Sequence, residues 1–178
     1  MRREEFICIA DRKLRTIYIS GEICPAMASK FRKILRSMDD GTNQIIVEIN
    51  SPGGHMEAGL MMADSVELAA SPVTTRVTGE ACSMAAVLLV CGKKREALPA
   101  STVMIHQGKF WLGGITDGTL RTEVSELERI AALVWKRLDE RTGKNVGYWK
   151  EACGHQNIYL DPVKALELNV IDSIVSKG

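Results

Sequence analysis

The chain has 178 residues, of which 46% are hydrophobic and 25% charged, which fits one compact soluble domain and excludes disordered or collagen-like chains. Lys plus Arg number 23 against 22 Asp plus Glu, so the net charge of +1 gives no electrostatic reason to expect a nucleic acid or an anionic membrane as partner. Only 5% of the residues are aromatic, so we expect a core of aliphatic and small side chains.

Other sequence features argue against a membrane segment, a metal site and a nucleotide cofactor. The longest apolar run, Met84–Cys91, is far shorter than the about 20 residues that span a bilayer, and the first residues (MRREE) carry no apolar signal region. The five cysteines contain no Cys-x-x-Cys pair, and the three histidines are not spaced as metal ligands on a helix. Neither Gly92-Lys93-Lys94 nor Gly143-Lys144-Asn145 completes a phosphate-binding loop. We therefore expect a cytoplasmic protein with reduced, mostly buried thiols, no metal, no cofactor, and no nucleic-acid or membrane partner.

The first part of the chain predicts two strands that flank a helix. Thr16–Ser20 and Gln44–Asn50 are β-branched runs bounded by turn formers, as in strands. Between them, Pro25–Met38 has apolar residues at helical spacing.

A second unit of the same kind follows. The turn Ser51–Gly54 leads into a helical pattern from Ala58 to Leu68, and Val73–Thr78 predicts the next strand. We expect a turn at Gly79. The segment Met84–Cys91 is so uniformly apolar that we expect it to be buried on all sides.

The rest of the chain continues the alternation. Thr102–His106 predicts a strand, and the glycine-rich stretch Gly108–Gly118 precedes the longest predicted helix, from about Thr119 to Arg141. Asp161-Pro162 is typical of a helix start, and Val170–Val175 predicts a closing strand. Strands that alternate with helices over short connections predict an α/β fold with parallel strands, in one domain over residues 1–178.

The long helix carries a narrow apolar seam with the spacing of a coiled coil. Such a seam packs either on its own domain or against another subunit, and its width leaves both interpretations open. The seam consists of Val124, Leu127, Ala131, Val134 and Leu138.

Three features can carry chemistry, and each also has an ordinary structural explanation. Ser83 lies where a strand enters the buried helix, beside the unpaired N–H groups of a helix N-terminus, although serine there is more often a cap. Ser51–Gly54 lets backbone N–H groups approach a ligand, or simply connects a strand to a helix. His106, at the tip of a strand, is either a general base for Ser83 or a structural histidine.

Taken together and in order, these motifs resemble the proteolytic subunit of the Clp protease (ClpP), a family of serine peptidases. The motifs are INSPGG (49–54), GEACSM (79–84) and MIHQ (104–107), and the resemblance runs from about Thr16 to Val175. It implies a ClpP/crotonase-like α/β fold of repeated β-β-α units. In that fold the long helix projects as a handle, here at about residues 108–150.

The resemblance also implies site residues. Ser83 corresponds to the nucleophile, His106 to the general base, and the backbone N–H groups of Gly54 and Met84 to the oxyanion hole. The implied activity is that of an endopeptidase that cleaves unfolded or extended peptides inside an oligomeric chamber.

This chain departs from the family at the third catalytic position. The family has an aspartate two residues before an aromatic residue near the last helix, and Asn157 stands there, two residues before Tyr159. Asparagine can accept a hydrogen bond from His106 and orient it, but it supplies no negative charge. We assign the nearby Asp161 to the cap of the last helix. The sequence therefore predicts a Ser-His-Asn site, with activity that Asn157 reduces.

The resemblance further implies partners. Handles of the family interlock two seven-membered rings, so we expect a homo-oligomer, a heptameric ring that can stack to a tetradecamer, with a ClpP-like paralogue and a Clp-type unfoldase ATPase as possible partners. Three departures bear on this expectation. Gln156 replaces an arginine that helps the rings meet, the loop after Gln107 lacks the family's proline, and Met1–Arg15, which precede the first predicted strand, lack the usual gating segment.

Other functions stay open at this point. Asn157 is compatible with a catalytically weak or silent ring subunit that assembles with an active paralogue. An acyl-CoA enzyme of the crotonase family would share the fold, but Ser83 and His106 in peptidase order argue against it. A signal peptide peptidase would use a lysine base and usually a membrane anchor. A phage capsid-maturation protease with a ClpP-like core is a further alternative.

Overall fold

The computed structural model describes residues 6–108 and 119–176. Within these ranges the chain forms eight strands and six helices. In chain order they are β1 (Ile7–Asp11), β2 (Thr16–Ser20), α1 (Pro25–Met38), β3 (Ile45–Ser51), α2 (Met56–Glu67), β4 (Val73–Cys82), α3 (Met84–Val90), β5 (Lys94–Ala97), β6 (Thr102–Ile105), α4 (Leu120–Thr142), α5 (Tyr148–Cys153), β7 (Ile158–Leu160), α6 (Pro162–Glu167) and β8 (Ser173–Ile174).

The described strands form one sheet with the order β1-β2-β3-β4-β5-β8. β4 is long enough to have two neighbours on one side, because its first part pairs with β5 and its last three residues pair with β6. All pairings are parallel except β1 with β2 and β6 with β7. The predicted α/β architecture is therefore confirmed, with antiparallel strands at two places.

The core lies between the sheet and the helices packed on it. Alternate residues of β3 (Ile45, Val47 and Ile49) are completely buried, as expected for a strand in the middle of a sheet. Every residue of α3 is buried, which confirms the prediction for the apolar segment. All five cysteines are buried free thiols, and burial raises the pKa of Cys8 to about 11.

The structure corrects the predicted strands at two places, near the start of the chain and at Gly79. β1 lies inside the segment that was expected to precede the first strand. It is the edge strand of the sheet, and exposed Ile7, buried Cys8 and exposed Ile9 show that one of its faces is covered and the other is open. The prediction of a turn at Gly79 is wrong, because β4 continues to Cys82. The N–H of Glu80 donates to the Asn50 side chain at 3.2 Å, and residues 80–82 pair with β6.

Three further elements were not predicted, and the last strand is shorter than expected. β5 reads KREA, so it lacks the apolar alternation of a strand, and its Arg95 and Glu96 are buried through polar contacts. α5 and β7 are only six and three residues long. The closing strand covers Ser173–Ile174 and not the whole of 170–175.

The long helix α4 has an exposed first half and a packed second half. It ends at Gly143, which adopts a left-handed conformation with φ 67°, as is common after a helix. Of the predicted seam, Leu138 is buried and the other four residues are partly buried, so its own chain covers part of the seam. The glycine-rich stretch at Gly108–Gly118 lies, apart from Gly108, outside the described residues.

The described part of the chain contains neither a membrane-spanning helix nor a cluster of metal ligands. No helix there has both the length and the hydropathy to cross a bilayer. Residues 6–108 and 119–176 also contain no group of three or more His, Cys, Asp or Glu side chains that could hold a metal ion.

The Arg95 side chain on β5 contacts α4 and the C-terminal part of the chain. Its buried guanidinium donates to the carbonyl oxygens of Arg141 and Asn169, both at 2.8 Å, and forms an ion pair with Asp172. Burial opposes ionisation of Asp172, but the hydrogen bonds from Arg95 outweigh this effect and lower the pKa of the carboxyl. One side chain thus connects β5 to α4 and to the segment between α6 and β8.

Replacing this side chain tests its structural role. We expect Arg95→Met to lower the free energy of unfolding by about 3 kcal/mol, because Asp172 loses its ion pair and two carbonyl groups lose their donor. Arg129→Met is the matched control, because Arg129 pairs with Glu126 on the exposed part of α4, where an ion pair contributes little to stability. Denaturant unfolding measures both changes, and equal losses would contradict the assignment.

Candidate active site

Ser83 occupies a sharp turn between β4 and α3. Its backbone has φ 55° and ψ −120°, a conformation that a residue with a side chain rarely adopts and that stores about 1–3 kcal/mol of strain. The Ser83 N–H donates to the carbonyl of Met104 on β6 at 2.8 Å. This bond fixes the turn to the neighbouring strand.

The same strand pair brings His106 to Ser83. β4 and β6 are parallel, with Cys82 opposite Met104, so both strands end at the same edge of the sheet. His106 follows β6 directly, and its Nε2 lies 2.9 Å from Ser83 Oγ, a hydrogen-bond distance. The two residues that the sequence motifs singled out are therefore adjacent in space.

Gly53 and Gly54 pass very close to other backbone segments. Gly53 has φ 90°, and a Cβ there would lie 2.5 Å from the Cys82 carbonyl oxygen and 2.7 Å from Ser83 Cβ. Gly54 has φ 148°, and a Cβ there would lie 2.3 Å from the Ile23 carbonyl oxygen. Only glycine fits both positions without displacing backbone.

Two backbone N–H groups near Ser83 have no fixed acceptor. Ile23 forms a parallel bridge with Gly54, using the carbonyl of Gly53 at 2.7 Å and the N–H of His55 at 2.8 Å. The N–H of Gly54 therefore points away from Ile23, and it donates no hydrogen bond within the described residues. Met84 is the first residue of α3, so its N–H has no intrahelical acceptor.

Asn157 lies one position beyond the antiparallel pairing of β6 with β7. In that pairing Ile105 is opposite Ile158, so His106 and Asn157 directly adjoin the last paired residues of the two strands. Asn157 is exposed. Asp161, in contrast, accepts a hydrogen bond from the Lys164 N–H at 2.7 Å, which confirms it as the cap of α6.

A cleft of about 700 Å³ opens beside Ser83 and His106. Its floor comes from α3 and β6, and one wall comes from the second half of α4. This wall was missed in the sequence, because periodicity alone shows that α4 has an apolar seam but not which surface that seam faces. The α4 residues that line the cleft include Ala131, Val134, Trp135, Leu138 and Asp139.

Cys82 directly precedes Ser83 but is not suited to nucleophilic attack. Burial, together with the adjacent Glu80, raises the pKa of the Cys82 thiol to about 12. The thiol donates to Glu80 Oε2 at 3.4 Å. Near neutral pH the sulfur therefore stays protonated, and the reactive form of a cysteine is the thiolate.

Comparison with known proteins assigns this chain to a family. The family model for Clp protease matches residues 4–178. A curated relative, the ATP-dependent Clp protease proteolytic subunit of Carsonella ruddii (strain PV), is 32% identical over 168 residues, which cover 93% of this chain and 86% of the relative. The chain therefore belongs to the Clp protease family, and the ClpP-like fold and peptidase class expected from its motifs are confirmed.

The close approach at Gly53 can be tested by adding one methyl group. We expect Gly53→Ala to destabilise the fold through the left-handed φ and through overlap with Cys82 and Ser83. Gly41→Ala is the control, because Gly41 has φ 79° but its nearest contact would be Ala70 Cβ at 3.8 Å, so only the strain of about 1–2 kcal/mol applies.

Thermal and denaturant unfolding should show that Gly53→Ala costs about 1–3 kcal/mol more than Gly41→Ala. Equal losses would mean that the backbone around Ser83 is not tightly packed against Gly53.

Proposed function

We propose that the chain is a serine endopeptidase that cleaves extended or unfolded peptides, with Ser83 as nucleophile and His106 as general base. The observation that carries this proposal is the 2.9 Å contact between Ser83 Oγ and His106 Nε2 at one end of an open cleft. A nucleophile within hydrogen-bond reach of a base is the arrangement that acyl transfer requires.

The reaction would proceed through an acyl-enzyme. His106 Nε2 takes the hydroxyl proton as Ser83 Oγ bonds to the scissile carbonyl carbon, and the protonated imidazole then donates that proton to the departing amine as the C–N bond breaks. In the second half, His106 takes a proton from water, whose oxygen attacks the ester carbon. Ser83 Oγ leaves and recovers its proton.

The oxyanion hole would consist of the N–H groups of Gly54 and Met84. Neither has an acceptor among the residues that the structure describes, and the Gly53 backbone packs against the Met84 nitrogen, so the two donors lie on adjacent segments. Preorganised donors of this kind stabilise the negative oxygen that develops during attack. An extended substrate would add a strand beside these glycine-containing segments.

Asn157 would orient the His106 ring. Asn157 and His106 directly adjoin the last paired residues of β7 and β6, and this position supports the role. The amide oxygen can accept a hydrogen bond from the ring N–H, but it adds no negative charge to stabilise the imidazolium. The proposed site is thus Ser-His-Asn.

The assembly is also part of the proposal. The relative's name describes a proteolytic subunit of an ATP-dependent protease, and α4 has an exposed first half that extends the apolar seam. We infer a cytoplasmic homo-oligomer, a heptameric ring able to stack, that receives peptides from a Clp-type ATPase. Asn157 also favours a second candidate function, a ring subunit of low activity that works with an active paralogue.

A serine-directed label tests the nucleophile. We expect a fluorophosphonate or β-lactone to modify Ser83 in the assembled protein, and Ser83→Ala and His106→Ala to abolish modification, because attack needs both groups. Ser65→Ala is the matched control, since Ser65 Oγ only donates to Met61 O within α2. Intact-mass and peptide mass spectrometry locate the label. Failure to label Ser83, while a known serine peptidase reacts in parallel, would reject the proposal.

Restoring the family's aspartate tests whether residue 157 acts on His106. We expect Asn157→Asp to raise kcat for a fluorogenic peptide tenfold or more, because a carboxylate stabilises the imidazolium that forms during attack. Asp161→Asn, at the cap of α6, is the control and should leave kcat unchanged. An unchanged kcat in Asn157→Asp would show that Asn157 does not act on His106.

A further inference from the structure

Two polar side chains of α4 line the cleft beside Ser83 on the same side of the helix. Trp135 and Asp139 are four residues apart, which places them one above the other. Their exposed fractions are 9% and 2%, so both are held in place by packing. The opposite side of α4 borders a different groove, which Ile130 and Leu133 line.

The indole N–H of Trp135 is available to a ligand. The side chain makes no hydrogen bond within the described residues, unlike Trp149, whose Nε1 donates to Thr142 Oγ1 at 2.8 Å. Among described side chains that are not exposed, the one fully buried nitrogen or oxygen without a partner belongs to Arg137. The Trp135 nitrogen is therefore not fully buried, and Trp135 is one of the residues that line the cleft.

Asp139 supplies an acceptor next to this donor. Its two carboxylate oxygens accept from the N–H groups of Gly147 at 2.7 Å and Trp149 at 3.0 Å. Each carboxylate oxygen has a second lone pair, so the group can accept further hydrogen bonds while it holds the start of α5. Donor and acceptor thus share one wall of the cleft.

The rest of the cleft is apolar or electrically balanced. Aliphatic side chains are the largest group in the lining. The charged residues around it are two carboxylates and two ammonium groups, so no net charge favours a charged ligand. The aliphatic residues are Met56, Met84, Val87, Ile105, Ala131, Ala132, Val134, Leu138 and Val146, the charged residues are Glu128, Asp139, Lys136 and Lys150, and Gln107 is a neutral polar residue near His106.

We propose that Trp135 and Asp139 form a subsite that selects glutamine at the substrate residue whose carbonyl Ser83 attacks. This inference rests on the proposed peptidase function. The side chain of that residue leaves the backbone next to Ser83 and enters the cleft. A glutamine presents an apolar stem to the aliphatic lining, a carbonyl to the Trp135 N–H, and an amide N–H to Asp139.

Methionine is the informative competitor. Its side chain has nearly the same length and fills the same apolar space, but it offers only a weak acceptor to Trp135 and no donor to Asp139. It would displace water from the Trp135 N–H without replacing the hydrogen bond, which is costly in a buried site. Glutamate would bring its charge against Asp139.

The experiment compares quenched fluorescent peptides that differ only at this residue, Gln, Met, Glu or Lys. In the wild-type protein we expect kcat/KM to be at least about fivefold higher for Gln than for Met, the value of one good hydrogen bond. Trp135→Phe keeps the ring but removes the donor, so the Gln/Met ratio should fall about fivefold. Using a ratio within one protein cancels losses of folded or active enzyme.

Two variants complete the design. Trp135→Leu also removes the donor and should lower the Gln/Met ratio in the same way. If one of the two Trp135 variants does not fold, the other still gives the result. Leu133→Ala, on the opposite side of α4, should leave the ratio unchanged. An unchanged ratio in both Trp135 variants, or a wild-type preference for Met or Lys over Gln, would overturn the proposal.

If peptide cleavage is too slow to measure, peptide binding tests the glutamine preference. Calorimetry of Ser83→Ala with the Gln and Met peptides should show the same preference as a ratio of Kd values, and Trp135→Phe in that background should remove it. Labelling of Ser83 without a Gln preference would reject this subsite alone. Absence of both labelling and cleavage would reject the peptidase assignment, while the binding ratio still decides the subsite.

Discussion

The hydrogen bond from the Ser83 N–H to the Met104 carbonyl fixes the geometry on which the candidate site depends. Ser83 is forced into a left-handed backbone conformation directly after β4, and this strained turn persists because β6 holds it from one side and Gly53 packs against it from the other. The same strand pairing carries His106 to the hydroxyl. A slip of β6 by one residue would turn the imidazole to the other face of the sheet.

Close backbone packing around Ser83 explains why this part of the sequence is rich in small residues. A Cβ on Gly53 would overlap Cys82 and Ser83, and one on Gly59 would lie 2.6 Å from the methyl group of Met84. α3 is buried on every side, so its first N–H cannot be satisfied by bulk water as easily as at an exposed helix. The low aromatic content therefore reflects a site built by backbone segments in near contact.

Local sequence signals predicted the parts of the site that lie next to turns and strand ends. The ordered set of motifs predicted that Ser83 and His106 lie together, and the Asp-Pro pair predicted that Asp161 caps the last helix. The β5 strand was not predictable in this way, because Arg95 and Glu96 are buried by contacts with distant residues. Gly79 looks like a turn residue, but tertiary pairing with Asn50 and β6 keeps the strand extended.

α4 contacts the region of the candidate site near both ends of α3. Near the start of α3, Trp135 and Leu138 line the cleft that Ser83 borders. Near its end, Arg141 donates to the carbonyl oxygens of Val90 and Gly92 at 2.8 and 2.7 Å, which satisfies groups that a helix C-terminus leaves unpaired. Because α3 is short and fully buried, it cannot shift independently of these contacts. The position of Ser83 and the shape of the cleft are therefore set together by the packing of α4.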